Sequence, residues 1–130
     1  MSKVICTADA PEAIGPYSQA VIVGSLVFTS GQIPINPATG CIDTSTITEQ
    51  THQICQNLSA VLKAAGSSLE KAVKTVCYLS DMDNFAQFNE VYAQYFTSKP
   101  ARSCVAVKAL PKGSLAEIEV IAELDDTNSK

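Results

Sequence analysis

The sequence predicts an α+β or α/β domain in which helices cover one face of a mixed β-sheet. Three observations support this fold class. An alternation of apolar residues, broken by Gly24-Ser25, indicates a β-hairpin over residues 18–30. Apolar residues at helical spacing follow over residues 46–65. A strand pattern, a second helical stripe and two more strand patterns complete the chain, so the predicted order is hairpin, helix, strand, helix and two strands.

The hairpin and the first helix have the clearest local signals. Glycine first in the Gly24-Ser25 break suits a type II′ turn, and the segment N-P-A-T-G at 36–40 predicts a second turn. Thr46 and Glu49 have the spacing of a capping box, in which hydroxyl and carboxylate satisfy opposite orphan amides. Gly66 is suited to end this helix.

The second half of the chain predicts a strand over 73–79 and a helix that Asp81 or Asp83 caps. Pro100 is expected to end that helix, because the residue before proline disfavours the α region. Final strands are predicted over 102–109 and 115–124, joined by a turn at 110–113. The other face of the sheet then lies bare, and self-association is the natural way to cover it.

Composition excludes several classes of protein. The chain has 130 residues, of which 46% are hydrophobic and 17% charged, so it is not intrinsically disordered. A net charge of -4 does not fit a dedicated nucleic-acid binder. A single histidine excludes a metal site built on two histidines of one chain. No apolar run is long enough to span a membrane.

Five scattered cysteines, an odd number with no C-x-x-C pair, favour reduced thiols over a disulfide framework or a zinc knuckle. Reduced thiols indicate an intracellular compartment. Residues 1–10 show no targeting segment, so the cytoplasm is the expected location, with a mitochondrial one left open. We expect one domain over 1–124 and a polar tail over 125–130.

Arg102 is the first candidate for chemistry. It stands where a strand begins after Pro100, and its planar guanidinium can bind a carboxylate through two parallel donors. The alternative is a surface arginine paired with a carboxylate of the protein. Strand parity places Cys104 on the same face as Arg102. If the last two strands pair as a hairpin, one possible register places Cys104 opposite Glu117, so that arginine, thiol and carboxylate meet on one surface; the connecting loop is too long to fix that register.

The remaining candidates lie in loops and the first helix. Tyr17 and Ser30 add a phenol and a hydroxyl beside the hairpin, and Gly31 permits close backbone approach to a ligand. Taken alone, each of these three residues is also common in turns for structural reasons. We expect His52 to be a surface or partly packed residue. The sequence contains no G-x-S-x-G, P-loop or G-x-G-x-x-G motif.

Several segments together resemble the RidA/YjgF family of reactive-intermediate deaminases. They are G-P-Y-S-Q-A at 15–20, S-G-Q-I-P at 30–34, F-N-x-V-Y-x-x-Y-F at 88–96, P-A-R-S-C-V-A-V at 100–107, L-P-x-G at 110–113 and E-I-E-x-I-A at 117–122. The resemblance spans nearly the whole chain. It implies a chorismate-mutase-like α+β fold with two helices on one face of a mixed sheet. It also implies a homotrimer with its sites in the clefts between subunits.

The resemblance further implies an activity, which is the hydrolysis of 2-imino acids such as 2-iminopropanoate and 2-iminobutanoate to 2-oxo acids and ammonia, without cofactor or metal. Arg102 is expected to hold the substrate carboxylate and Glu117 the attacking water. The expected pocket residues are Tyr17, Ser30, Gly31, Asn89 and Cys104, with Cys104 as wall rather than nucleophile. We do not expect the protein to bind a membrane, and the sequence does not favour nucleic acid as a partner.

Two other functions stay open at this point. One is a non-catalytic regulatory trimer that binds 2-oxo acids in the same cleft. The other is an endoribonuclease or translation inhibitor, an activity attributed to members of the same family. The acidic chain argues against the second, because it lacks a patch that neutralises phosphates.

Overall fold

The computed structural model describes residues 2–125; of the expected tail, residues 126–130 lie outside them. It contains six strands and two α-helices, and the chain visits them in nearly the predicted order. In chain order they are β1 (Ser2–Ile5), β2 (Ala20–Val23), β3 (Leu26–Thr29), α1 (Ile47–Ala65), β4 (Ala72–Leu79), α2 (Phe85–Tyr95), β5 (Ala101–Ala106) and β6 (Ala116–Glu123).

The strands form one mixed sheet in the order β1-β2-β3-β6-β4-β5. Only β4 and β5 pair in parallel, and α2 lies between them along the chain. Parallel neighbours need such a crossover, whereas antiparallel neighbours can be joined by a short turn. Both helices pack on one face of the sheet, where α1 contacts β3 and β6 and also contacts α2. The predicted fold class, α+β with two helices on one face of a mixed sheet, is confirmed.

The predicted pairing of the last two strands is wrong. β6 lies between β3 and β4, and β4 separates it from β5. The alternating residues of β6 from Ala116 to Ala122 are fully buried beneath the helices. A strand with one wholly apolar face buries more of it at the centre of a sheet than beside the edge strand β5. Cys104 therefore pairs with Cys77, and Glu117 pairs with Tyr78.

Two further expectations on element boundaries need correction. α2 ends at Tyr95, five residues before Pro100, so the proline does not end it. The chain leaves the helix through Phe96 and turns at Lys99, whose φ of 55° lies in the left-handed region. The strand β1 was not predicted; it pairs with β2 at the edge of the sheet.

The ends of α1 follow the predicted local signals. Thr46 caps the helix, because its Oγ1 accepts a hydrogen bond from the Glu49 amide at 3.2 Å. The Glu49 carboxylate accepts from the Thr46 hydroxyl at 3.1 Å rather than from a backbone amide, so half of the capping box forms. Gly66 follows the helix with φ 83° and ψ 36°, and its amide donates to carbonyls of the last turn. Glycine adopts this left-handed conformation without the steric penalty of a side chain.

Replacing Gly66 by alanine is expected to lower the free energy of unfolding by about 1 kcal/mol, because alanine resists the left-handed conformation. Gly66→Asn is the matched control, since asparagine tolerates that region better and should lose less. Urea unfolding at one fixed protein concentration measures both variants. Equal stability of wild type and Gly66→Ala contradicts this account of the helix end.

The face of the sheet opposite the helices is exposed and largely apolar. We call it the exposed sheet face, and it carries Val4, Val23, Phe28, Tyr78, Val105, Glu117, Glu119 and Ile121. Val4 is 60% exposed and Val105 47% exposed. The predicted bare face is therefore present in the chain. Neither α1 nor α2 is long and apolar enough to cross a membrane.

Candidate functional site

Arg102 lies near the start of β5, on the side of the sheet that α2 covers. Its Nη1 donates to the Asn89 Oδ1 at 2.7 Å. The guanidinium carbon lies 4.8 Å from the centre of the Tyr92 ring and 5.6 Å from that of Phe85. Within residues 2–125, no carboxylate pairs with Arg102. Neutral groups thus hold the cation in place, and its charge is left for an anion from outside.

An open cavity adjoins this arginine. We call it the arginine cavity; its volume is about 490 Å³, and it is lined by Asn89, Tyr92, Ala93, Phe96, Thr97, Lys99, Pro100 and Arg102. A hydrogen bond of 2.7 Å between the Tyr92 and Thr75 hydroxyls fixes the aromatic wall. Among the other polar side chains that line the cavity, Asn89 and Thr97 are neutral and Lys99 is a second cation. A small carboxylate that enters it meets the guanidinium without competition from an acidic wall residue.

Cys104 lies two residues after Arg102 on the same face of β5, as strand parity predicted. It is half-buried, and its neighbour across the parallel pair is the buried Cys77. Burial raises the pKa of the Cys104 thiol, although the nearby Arg102 acts in the opposite direction. Burial also raises the pKa of Cys77, to about 12. Both groups are therefore thiols near neutral pH, which does not favour a nucleophilic role.

A second cavity, the glutamate cavity, lies on another part of the molecule. Its volume is about 640 Å³, and it brings together four predicted site residues: Tyr17, Ser30, Gly31 and Glu117. Its remaining lining residues are Pro11, Glu12, Ile14, Gln19, Gln32, Ile33, Ile35, Pro111 and Lys112. Four residues that lie as many as 100 positions apart in the sequence thus line one space.

Backbone hydrogen bonds place the S-G-Q segment beside β6. Gln32 donates its amide to the Ile118 carbonyl at 2.9 Å and accepts from the Ile118 amide at 3.2 Å. Ser30 is held to the preceding loop, because its hydroxyl donates to the Ser18 carbonyl at 2.5 Å. Gly31 is consequently held next to the Glu117 side chain.

Gly31 leaves no room for a side chain. A Cβ at this position would overlap the carboxylate of Glu117 and lie 2.8 Å from its Cδ. Glycine is needed here for close approach and not for backbone strain, since its φ lies outside the left-handed region.

The Glu117 carboxylate is partly withdrawn from water. Burial raises its pKa above the ordinary value, and repulsion from Glu119, two residues along β6, raises it further. A carboxyl group with a raised pKa is a stronger base when ionised, and it can take a proton from a bound water.

The structure corrects the hypothesis that Arg102, Cys104 and Glu117 meet on one surface. The register places Arg102 and Cys104 beside Thr75 and Cys77, under the helices. Glu117 pairs with Tyr78 and so belongs to the exposed sheet face. Within one chain the arginine cavity and the glutamate cavity share no lining residue. Each chain therefore carries the candidate residues in two separate cavities.

The contact of Phe85 and Tyr92 with Arg102 was not predicted from the sequence. The signal was available, because Phe85, Asn89 and Tyr92 stand at positions i, i+4 and i+7 and so share one helix face. His52 fits its expectation, since its Nδ1 lies 2.9 Å from the Tyr95 hydroxyl between the two helices. Residues 2–125 contain no cluster of three or more potential metal ligands.

Together these observations describe a class of protein: an α+β domain with an arginine beside an open cavity on one side of its sheet and a half-buried glutamate beside a second cavity on the other. The family model described as Endoribonuclease L-PSP matches residues 7–124. The chain belongs to this family, which is the RidA family that its motifs resemble.

Curated relatives cover almost the whole chain. The RutC family protein PH0854 of Pyrococcus horikoshii is 54% identical over 94% of this chain and 98% of its own length. A human protein named 2-iminobutanoate/2-iminopropanoate deaminase is 47% identical over 92% of this chain and 88% of its own length. A Salmonella typhimurium protein of the same name is 46% identical over 94% and 98% of the two chains.

Solved structures of similar proteins share the fold of this chain. A Thermotoga maritima protein provisionally named an endoribonuclease superposes with a TM-score of 0.93 at 49% identity, covering 96% of this chain and 99% of that one. The Escherichia coli protein TdcF, solved with bound serine, gives a TM-score of 0.90 at 45% identity and covers 95% and 99%.

Proposed function

We propose that this protein is a hydrolytic deaminase that converts 2-imino acids such as 2-iminopropanoate and 2-iminobutanoate to 2-oxo acids and ammonia. The observation that carries the proposal is the Arg102 guanidinium, which is held by neutral groups among residues 2–125 and which faces an open cavity. A 2-imino acid carries one carboxylate, which this cation can bind through two parallel hydrogen bonds. The deaminase names of the human and Salmonella relatives support the assignment.

The complete site is proposed to form between subunits of a homotrimer. One chain supplies Arg102, Asn89 and Cys104, and its neighbour supplies Tyr17, Ser30, Gly31 and Glu117. The exposed sheet face supports association, because apolar side chains such as Val105 and Phe28 lose contact with water when another copy covers them. A cyclic trimer repeats the same contact three times and so yields three equivalent sites.

The reaction needs positioning and one base. The imine carbon is already electrophilic, so water can attack it once Arg102 fixes the carboxylate. Glu117 takes a proton from the water as the C–O bond forms and the π pair of the protonated imine moves to nitrogen, which gives a neutral carbinolamine. Glu117 then gives this proton to the nitrogen, and the C–N bond breaks with release of ammonia. The hydroxyl oxygen loses its proton to Glu117 and becomes the 2-oxo group. Tyr17, Ser30 and Gly31 line the side from which the water comes. No step requires a cofactor or a metal.

The test is to generate 2-iminobutanoate with a pyridoxal-phosphate-dependent dehydratase and follow its decay with and without this protein. Faster decay to 2-oxobutanoate and ammonia supports the proposal. If the protein binds 2-oxobutanoate without accelerating the decay, the non-catalytic regulatory role takes its place. The serine bound to TdcF is the observation that favours a binding function in that relative.

The family description keeps the endoribonuclease activity as a candidate. The residues of this chain do not favour endoribonuclease activity. Its one histidine, His52, is hydrogen-bonded to Tyr95. Its net charge of -4 does not suit the binding of a phosphate backbone. RNA cleavage that survives in both Arg102→Ala and Glu117→Ala points to another site or to a contaminant. We place the deaminase activity in the cytoplasm, whose reducing conditions suit the scattered cysteines.

Replacing Cys104 by serine is expected to change kcat/KM for imine hydrolysis less than about threefold, because the protonated thiol serves as a wall of the site. Steady-state kinetics measure the change, and mass spectrometry of the reacting wild-type protein should show no covalent adduct. A loss of 100-fold or more together with a trapped adduct establishes covalent catalysis and contradicts this role.

A further inference from the structure

Tyr78 lies beside two carboxylates of β6, those of Glu117 and Glu119, on the exposed sheet face. Its hydroxyl donates to the Glu119 Oε1 at 2.7 Å. Its direct partner across the β4–β6 pair is Glu117, whereas the direct partner of Glu119 is Val76. The phenol therefore reaches diagonally past its own partner, a distance that aromatic side chains can span.

We propose that Tyr78 is a positioning residue for the deamination reaction: by donating to Glu119 it holds that carboxylate away from Glu117, which stays ionised and free to bind the attacking water. The inference rests on the proposed function, since it deepens the role of Glu117 in that site. It assigns Tyr78 and Glu119, which lie outside both cavities, an effect on the reaction.

Electrostatics supplies the reason. Glu117 and Glu119 stand two residues apart on one face of β6, so their negative charges repel each other. This repulsion adds to burial in raising the pKa of Glu117. A hydrogen bond donated to Glu119 stabilises its charge and fixes its direction. The hydrogen bond to Glu119 also raises the pKa of Tyr78, to about 12, so Tyr78 keeps its proton and remains a donor throughout the working pH range.

Within residues 2–125, no other charged group near Glu117 is hydrogen-bonded to Tyr78 or Glu119. Lys74 of β4 pairs with Ile121, farther along β6 from Glu117. The other titratable groups that face Glu117 come from loops that line the glutamate cavity, and they are Glu12, Tyr17 and Lys112. A shift caused by Tyr78→Phe therefore reports on the interaction with Glu119.

The experiment compares Tyr78→Phe, Glu119→Gln and the double variant with wild type. The carboxyl titration of Glu117 is followed by ¹³C NMR in the full chain and assigned by its loss in Glu117→Gln. We expect Glu119→Gln to lower the Glu117 midpoint by about one pH unit, because a like charge disappears. We expect Tyr78→Phe to raise it by about half a unit, because Glu119 is no longer held.

The double variant separates positioning from a merely structural role. If Tyr78 acts through Glu119, the double variant matches Glu119→Gln alone, and the two effects are not additive. An unchanged or lowered midpoint in Tyr78→Phe overturns the proposal. The acid limb of kcat/KM for imine hydrolysis should move with the midpoints. If wild type hydrolyses no imine at any pH, the proposed function fails, whereas the NMR titration still decides whether Tyr78 controls Glu117.

Discussion

Replacing Arg102 by alanine is expected to lower kcat/KM for hydrolysis of 2-iminobutanoate by about 100-fold or more. Loss of a charge-assisted, two-pronged hydrogen bond to a carboxylate costs about 3 kcal/mol, which corresponds to that factor. Neither Asn89 nor the aromatic rings beside Arg102 can replace the positive charge. Decay of the enzymatically generated imine, followed by ammonia release, measures the effect.

Two control variants identify the cause of the loss. Arg102→Lys keeps the charge without the planar fork, so it should retain part of the activity. Lys63→Ala removes an exposed cation from the last turn of α1 that lines neither the arginine cavity nor the glutamate cavity, and it should leave the rate unchanged. Because Arg102 also packs on Tyr92, urea unfolding must show that Arg102→Ala is folded. A folded Arg102→Ala with the wild-type rate rules out carboxylate binding by this residue.

Local signals predicted those parts of the fold that local interactions determine. The ends of α1 are an example, because Thr46 and Gly66 each act on backbone groups within four residues. The first hairpin is another, since its two-residue turn at Gly24 sets the register of β2 and β3. The expected II′ turn agrees with the left-handed φ of Gly24, which is 62°.

The pairing of β6 could not be derived in the same way. Its alternation places Glu117 and Glu119 on one face and Ile118 on the other, as strand geometry requires. Its neighbours depend on β3, which lies about 90 residues earlier, and on competition among strands for the centre of the sheet. The loop from β5 to β6 crosses β4 and is too long to fix a register. The mistaken hairpin placed Glu117 beside Cys104 for this reason.

The candidate site, too, could be predicted only in part from the sequence. The S-G-Q and E-I-E segments were singled out separately, and the structure brings them together through the bridge between Gln32 and Ile118. Arg102 and Asn89 also meet, through a direct hydrogen bond. The relation between the two groups depends on strand order and, in the proposed trimer, on how the subunits assemble. No residue spacing in one chain encodes either of them.

Mixing two inactive variants is expected to restore activity, and this is the sharpest test of a site shared between chains. Arg102→Ala lacks the cation, and Glu117→Gln lacks the base. When the two are unfolded and reassembled together, a site becomes intact where an Arg102 from one chain meets a Glu117 from its neighbour. Random assembly in equal amounts makes about a quarter of the sites intact. Each variant reassembled alone should stay inactive.

A second mixture distinguishes shared sites from sites inside one chain. Wild type reassembled with the double variant Arg102→Ala/Glu117→Gln gives about a quarter of the wild-type rate if each site uses two chains, and about a half if each site uses one. Because Arg102 and Glu117 line separate cavities of the chain, we expect a quarter of the wild-type rate. A rate of one half in this mixture, with no activity from the two single variants together, places the whole reaction in one chain. It then requires Arg102 and Glu117 to act in separate steps.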